Sequence, residues 1–547
     1  MKKIKLLITL PILPALAMTS CNNGPADEFD NGLKLKYDNS GYTFEEVDDK
    51  NKSASYEIFV RSFYDSNKDG IGDLKGVQEQ LPYLDDLGVK TLWLMPIHTS
   101  GSYHGYDVWD YYSINPDYGK MADFENLVAA AKERNMDIML DLVINHSGTF
   151  NRWFDQSYTD FINNATGEDS KADWYNWKTT SAAGYHSYKN AYYEGSFNST
   201  MPDLNLDSAT LKEELKNIVK FWLDKGVMGF RLDAVTYYYS SNVTKNVNFL
   251  NWLNGVVKSI NPNAYIVGEA WASDAVIKQY YGSSSKTTID SFFAFGSAAG
   301  STNITVSLIN ASKGVLSASK FSKNIEAYEK AIKTANPNAY ASYFVTNHDM
   351  DRMSAYFKDL SKAKAVASLY LLMPGTPFIY YGEEIQMKGT RITSPDDASD
   401  VRRRLPMIWN KEDKTGECKF PETDRMDLAK NDQVESGVYD ELKNKNSLVN
   451  HYRKVINVRN KYSVFKNGIY TDLTPTLNIN SEKDQVLAYK ISYNDEYVIV
   501  VHNFSDYNQK VTSPGTELLD TINTDQRVSE LRGEELIIAH HSTVILK

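Results

Sequence analysis

Apolar and polar positions alternate along eight short stretches of the chain. They are Tyr56–Val60, Thr91–Ile97, Asp137–Ile144, Gly229–Val235, Tyr265–Ala270, Ile289–Phe295, Ser342–Thr346 and Pro377–Tyr381. Each is rich in β-branched or aromatic residues, which predicts a strand. Between several of them the apolar spacing turns helical. Phe124, Leu127, Val128 and Ala131 share one helical face behind Asp123 as N-cap, and Leu211, Leu215, Ile218 and Trp222 form another. Strand and helix alternating in this way predict a parallel (β/α)8 TIM barrel. Two intervals are too long for simple crossovers. About 85 residues separate the third and fourth runs, and this interval, dense in Tyr, Trp, Asn and Gly, predicts a subdomain over the barrel mouth at about 147–205. A second long stretch, about 382–445, includes Arg402-Arg403-Arg404 and precedes a helical pattern from about Leu448 to Tyr462. The barrel unit is thus assigned to 51–462. From 463 to 547 strands alternate with Asn, Asp and Ser turns, which predicts a C-terminal antiparallel β-sandwich.

The first residues carry an address. Lys2, Lys3 and Lys5 precede an apolar stretch from Leu6 to Met18, followed by Met18-Thr-Ser-Cys21. This resembles a bacterial lipoprotein signal, which implies cleavage after residue 20 and lipid on the Cys21 thiol. The expected product is an exported lipoprotein, anchored to a membrane surface and facing the cell surface or periplasm. Residues 21–50, rich in Asn, Asp, Gly and Lys, read as a flexible tether. The only other cysteine is Cys418, so acylation of Cys21 leaves no internal disulfide. A net charge of −11 without a basic tract argues against a nucleic-acid partner. The 37 Tyr and 9 Trp offer flat apolar faces with polar rims, which suit sugar rings, although core packing absorbs most of them.

The candidate chemistry lies at the C-terminal ends of the predicted strands, where barrels of this kind place it. Arg231 and Asp233 alternate with Phe230, Leu232 and Ala234, so the two charged groups share a face. Arg beside Asp favours the ionised carboxylate, the state an oxygen nucleophile needs. The second strand is followed by His104-Gly-Tyr106-Asp107, and the third carries Asp141 and ends in Asn145-His146. The fifth ends in Gly268-Glu269-Ala-Trp271, and the seventh in Thr346-Asn-His348-Asp349. Several carboxyls gathered in one mouth repel, and their pKa values split.

These motifs resemble those of glycoside hydrolase family 13, the α-amylase family. Asp141-Leu-Val-Ile-Asn-His146 is similar to its first conserved region, Gly229-Phe-Arg-Leu-Asp233 to the second, Gly268-Glu-Ala-Trp271 to the third and Asn347-His-Asp349 to the fourth. Met201-Pro-Asp-Leu-Asn205 is similar to the fifth, in the form found in the group intermediate between oligo-1,6-glucosidases and neopullulanases. The resemblance implies Asp233 as nucleophile, Glu269 as acid/base and Asp349 as stabiliser of the oxocarbenium-like transition state. It implies that Arg231 positions Asp233, that His146 and His348 hydrogen-bond the sugar, and that Tyr106 stacks under it. His104 and Arg404 are further candidates for substrate contact. A retaining hydrolase of α-1,4 bonds in starch, glycogen or maltooligosaccharides is implied, its two carboxyls about 5–5.5 Å apart. The rivals are a transglycosylase or α-glucosidase on the same scaffold and, remotely, an inactive surface glycan-binding lipoprotein. Ala234 stands where relatives specialised for α-1,6 bonds carry Val, and Tyr103 where exo-acting ones carry a capping Asp; both imply endo or mixed α-1,4 cleavage.

Asp65-Ser-Asn67-Lys-Asp69-Gly70-Ile71-Gly-Asp73 follows the first strand. Oxygen donors at alternate positions, with Gly70 in the turn, suit a structural Ca²⁺. Asp65, Asn67, Asp69 and Asp73 supply side chains and Ile71 a carbonyl. The loop resembles an EF-hand at its start only, because Gly76 takes the place of the closing Glu. A similar loop in the oligo-1,6-glucosidase branch of the family binds Ca²⁺.

Overall fold

A computed structural model describes residues 32–240, 242–295, 304–391, 400–421, 433–479 and 484–547. Eight parallel strands form one sheet: β1 (Ser55–Ile58), β2 (Thr91–Leu94), β3 (Asp137–Leu142), β4 (Gly229–Leu232), β5 (Tyr265–Gly268), β6 (Ser291–Phe293), β7 (Tyr340–Ser342) and β8 (Phe378–Tyr380). Their order is β7-β6-β5-β4-β3-β2-β1-β8. The Phe378 amide donates to the Tyr343 carbonyl at 2.8 Å, which brings the two ends together and closes the barrel. All eight predicted runs fall on these strands. The seventh is displaced, its ladder ending at Ser342, where its predicted run only begins.

Alternation along the strands divides two cores. Tyr56, Ile58, Leu92, Leu94, Leu140, Leu142, Phe230, Leu232 and Ile266 face outward into the main cluster with the helices. Trp93, Met139, Val267, Phe293, Phe344 and Phe378 fill the lumen. Register extends this inner face to polar residues, because Glu57 pairs with Trp93, and Arg231 with Asp141 and Val267. The strands approach closely at Gly229, where a Cβ would lie 1.8 Å from the Tyr265 carbonyl oxygen.

Between β3 and β4 the chain forms a helix, Arg152–Ile162, and a small sheet of Trp177–Lys178, Tyr185–Tyr188 and Ala191–Glu194. An isolated bridge from His146 to Asp203 fastens this insert to the barrel, and one from Tyr175 to Leu204 ties the insert to itself. The last 80 residues form a five-stranded antiparallel sheet and a three-stranded one. The larger sheet is buried on both faces. Val486, Ala488, Ile499, Val501, Val544 and Leu546 meet Val511, Leu536 and Ile538 of the smaller sheet. The alternate residues Leu487, Tyr489, Ile491, Val500 and Ile545 join the barrel's cluster instead.

The segment expected as a tether is in large part not one. From Leu33 it lies along the body of the protein. Lys36–Tyr37 pairs antiparallel with Arg527–Val528, and Leu35 is buried with Ile537 and Ala539. Tyr42 donates to Asn457, and Glu45 pairs with Lys461, both on the helix Leu448–Lys461. Among the described residues no helix is long and apolar enough to cross a membrane. Cys21 lies outside the described residues.

Candidate active site

Arg231 is the hub of the barrel mouth. Only 1% of it is exposed, with its guanidinium over the rings of Trp93 and Tyr106. Nη1 donates to Asp233 Oδ1 at 2.8 Å and to both oxygens of Asp141 at 2.9 Å. Nη2 lies 2.7 Å from Glu269 Oε2. The carboxyls at the ends of β4 and β5 are thus held on the two terminal nitrogens of one guanidinium. Glu269 has further donors. Trp271 Nε1 reaches Oε1 at 2.9 Å, and the Ala234 amide reaches Oε2 at 3.1 Å. Ala234 is in the left-handed region (φ 49°), uncommon without glycine, and this turn aims its N–H at the neighbouring strand's acid.

A second hub lies across the mouth. His348 Nε2 is 3.0 Å from Asp349 Oδ2 and 2.8 Å from the Tyr106 hydroxyl, and Nδ1 is 2.5 Å from Glu57 Oε1. Arg404 Nη2 donates to Asp349 Oδ1 at 2.9 Å, and its Nε to the His348 carbonyl at 3.1 Å. Tyr106 links the two hubs by donating to Asp141 Oδ2 at 3.0 Å.

Five carboxyls (Glu57, Asp141, Asp233, Glu269, Asp349) therefore surround three cations (Arg231, His348, Arg404). Burial pushes Asp233 and Glu269 above the usual carboxylate range; Arg231 pulls down, and Asp349 adds to the rise. Burial takes Asp141 up to about 7 despite its contact with Arg231. Arg231 pulls Asp233 toward the ionised form, as expected, but desolvation outweighs one guanidinium shared among three acids and the net direction is upward. Asp349 goes the other way. Burial raises it, but His348, Arg404 and Arg231 together hold it well below the usual range. Burial lowers His348, yet Asp349 and Glu57 bring it up to about 9, a cation at neutral pH. Burial takes His146 down to about 4, a neutral ring.

A cleft of about 860 Å³ opens over this cluster. Asp233, Glu269, Asp349, Tyr106, His146, His104 and Arg404 all line it, so most of the predicted catalytic and substrate-binding residues converge there. Arg231 lies beneath them. Phe197 from the insert, Tyr237 after β4 and Trp271 after β5 expose their rings at its rim, each between 43% and 46%. Glu57 was not among the sequence candidates; it is a lone Glu within Ser55-Tyr-Glu-Ile, and the burial that singles it out belongs to the folded strand.

The predicted metal ligands form a separate loop after β1. Asp65 accepts the amides of Asn67, Lys68 and Gly70, the last at 2.7 Å, and Asn67 and Asp69 accept those of Asp69 and Ile71. Gly70, at φ 101°, makes the turn. Asp73 caps the helix Leu74–Glu79 through the Gly76 amide. Lys419 Nζ donates to the Asp69 carbonyl oxygen at 3.2 Å. Among the described residues no three His, Cys, Asp or Glu side chains gather in metal-binding geometry. The loop's set of carboxylate, amide and carbonyl oxygens nevertheless fits the chemistry of Ca²⁺.

The chain and its fold have counterparts among known proteins. The family description "Alpha amylase, catalytic domain" matches residues 57–468. The chain belongs to the α-amylase family. It is similar to Alpha-amylase 3 of Dictyoglomus thermophilum, with 35% identity over 90% of this chain and 92% of that one. It is also similar to an oligo-1,6-glucosidase of Halalkalibacterium halodurans, with 29% identity over 83% and 90%. Among solved structures, Eubacterium rectale Amy13B superposes with a TM-score of 0.80 at 33% identity, covering 91% of this chain and 96% of that one. The α-amylase from H. orenii gives 0.76 at 33% identity, covering 90% and 99%. This α-amylase family member is a glycoside hydrolase built on a TIM barrel with a C-terminal antiparallel domain.

Proposed function

We propose that the chain is a retaining hydrolase of α-1,4-glucosidic bonds in starch, glycogen or maltooligosaccharides, acting in endo or mixed fashion. The observation that carries this reading is the pair Asp233 and Glu269, held by opposite nitrogens of Arg231 and both open to the cleft. Asp233 attacks the anomeric carbon as the bond to the leaving oxygen breaks, and Glu269 gives that oxygen its proton. Glu269 then takes a proton from water as the water displaces Asp233. Asp349, kept ionised by His348 and Arg404, holds sugar hydroxyls and faces the developing positive charge. Tyr106 and neutral His146 border the same sugar. Tyr103 turns its hydroxyl to the Arg404 carbonyl at 3.1 Å and its ring against Phe59, so it does not cap the cleft, which supports cleavage within chains.

Time-resolved products from amylose, pullulan and maltotriose test the reading. Maltooligosaccharides of mixed length from amylose support it; glucose alone, or preference for isomaltose, rejects endo α-1,4 cleavage. From maltotriose alone, products longer than the substrate would favour transglycosylation, the reading suggested by 33% identity to a 4-alpha-glucanotransferase of Thermotoga neapolitana over 61% of this chain. Asp233→Asn and Glu269→Gln should each lower kcat at least about 10³-fold, roughly 4 kcal/mol of barrier, with the fold retained by circular dichroism. Either variant keeping a tenth of kcat would overturn its role and leave room for the inactive glycan-binding alternative.

Two further proposals concern the chain outside the cleft. Cys21 carries lipid after removal of residues 1–20 and anchors the exported protein to a membrane surface; the sequence Met18-Thr-Ser-Cys21 supports this. Incorporation of radiolabelled palmitate, lost in Cys21→Ala, tests it. Asp65, Asn67, Asp69, Ile71 and Asp73 would hold a structural Ca²⁺, which stabilises the folded state and takes no part in catalysis.

A further inference from the structure

A second cavity, of about 580 Å³, opens where three parts of the chain meet. Its walls come from the N-terminal arm at 38–44, from the start of the helix Leu448–Lys461 with Lys364 behind it, and from the C-terminal domain at 518–528. It shares no residue with the catalytic cleft. Its size is that of a small-molecule site.

The charges on its walls do not balance. Four cations line it (Lys364, Lys445, Arg453, Lys454) against three carboxylates (Asp38, Asp520, Asp525). Asp525 is engaged with Arg527, whereas Asp520 shares Lys461, at 3.3 Å, with Glu45. Arg453 is engaged with Asp86 at 2.7 Å. That leaves Lys364, Lys445 and Lys454 against Asp38 and Asp520, a surplus of one positive charge in a protein of net charge −11. Lys364 is 4% exposed and donates to the carbonyls of Asn446 and Thr524 at 2.6 and 2.8 Å. Lys445 donates to the Ser40 carbonyl at 3.1 Å. Lys454 has only the face of Tyr42, 4.9 Å from the ring centroid, and no carboxylate among the described residues within ion-pair reach. Burial pushes both Lys364 and Lys454 down to about 8, against the pull of Asp525 and Glu441 on Lys364 and of Asp520 and Asp38 on Lys454, and Lys364 adds to the drop at Lys454. Burial and the two ammonium groups also hold His451, on the same wall, well below its usual range. Basic groups that repel one another in a partly desolvated cavity are relieved by a bound anion.

We propose that this cavity binds a dianionic phosphate group, with Lys454 and Lys364 as its principal contacts, and that the bound group braces the arm, the barrel and the C-terminal domain against one another. The same chemistry admits two sources, a soluble phosphate or phosphate monoester and the headgroup of an anionic phospholipid. The site involves no residue of the catalytic cluster, so the proposal stands apart from the assignment of the reaction.

Calorimetric titration of the folded full-length chain with inorganic phosphate, at constant ionic strength, tests it. Saturable binding at one site is expected, with a rise in melting temperature that follows occupancy. Lys454→Met should weaken binding at least tenfold while leaving the melting temperature in phosphate-free buffer no lower, because Lys454 holds no main-chain group. Lys364→Met serves as a second variant with the same expected loss of binding. Glycerol phosphate in the titration, and vesicles of phosphatidate against phosphatidylcholine, identify the source. Retention on phosphatidate that Lys454→Met abolishes assigns a lipid headgroup; phosphate binding without it assigns a soluble ligand. Absence of saturable binding up to about 10 mM by any of these probes, or equal binding by wild type and Lys454→Met, overturns the proposal.

Discussion

Replacing Trp271 by Phe isolates one hydrogen bond to the proposed acid. The indole N–H lies 2.9 Å from Glu269 Oε1 and favours the carboxylate; the ring stacks on Phe295 with centroids 3.9 Å apart, a contact Phe keeps. Hydrogen bonds to charged groups are worth about 1.5–3 kcal/mol. Trp271 is 44% exposed, so water replaces part of the lost bond. A remaining loss of about 1 kcal/mol raises the Glu269 pKa by about 0.7 of a unit, at 1.36 kcal/mol per unit. The sign follows from the role. Glu269 must be protonated to release the leaving group, so activity falls as pH rises through its pKa, and a higher pKa carries the alkaline limb upward. The pH dependence of kcat/KM on a maltooligosaccharide, which reports the free enzyme, should show that limb displaced by about 0.5–1 unit, the acidic limb following less. An alkaline limb that stays in place, or moves down, would show that Trp271 does not govern the proton on Glu269.

Three other outcomes follow from the same structure. Arg404→Gln takes a cation from Asp349, so the Asp349 carboxyl should titrate higher in NMR of carboxyl-labelled protein; an unmoved Asp349 titration separates Arg404 from Asp349. Chelation should lower the melting temperature while activity below it persists, and Asp69→Ala should show the lower value and be indifferent to EDTA; equal melting with Ca²⁺ and EDTA, without calorimetric binding, would remove the metal. Ile545→Ala, fully buried where the C-terminal sheet meets the barrel, should cost about 2–5 kcal/mol in urea unfolding, and a cost below about 1 kcal/mol would mean the two parts are not packed as described.

The strands were legible because each carries its own alternation, and the cluster because barrels gather the ends of distant strands at one mouth. Arg231 and Asp233 declared themselves within seven residues. Glu57 did not. Its partner, His348, is 291 residues away, and one Glu in a buried apolar strand has no local pattern to mark it. The direction of the Asp233 shift also escaped the sequence. Adjacency to Arg231 is local, whereas desolvation and the competing acids belong to the assembled mouth. The arm was misread for a related reason. Its Asn, Asp and Gly content conceals a few anchoring groups, Leu35, Tyr42 and Glu45 among them, whose partners lie more than 400 residues on.

The packed arm sets how far the enzyme can stand from a surface. With lipid on Cys21, as proposed, eleven peptide steps separate the anchor from Gly32, where the described chain begins. At no more than about 3.6 Å each they span at most roughly 40 Å, where a free segment to residue 50 would allow roughly 100 Å. The shorter reach is below the diameter of a globule of this size, near 50 Å. A lipid on Cys21 would therefore moor the catalytic body rather than leash it. It would leave little room to turn over, and the arm's docking line on the C-terminal domain would fix which side faces the bilayer. On that proposal glucan chains come to the membrane surface to be cut, and products are released within a molecule's breadth of whatever takes them up.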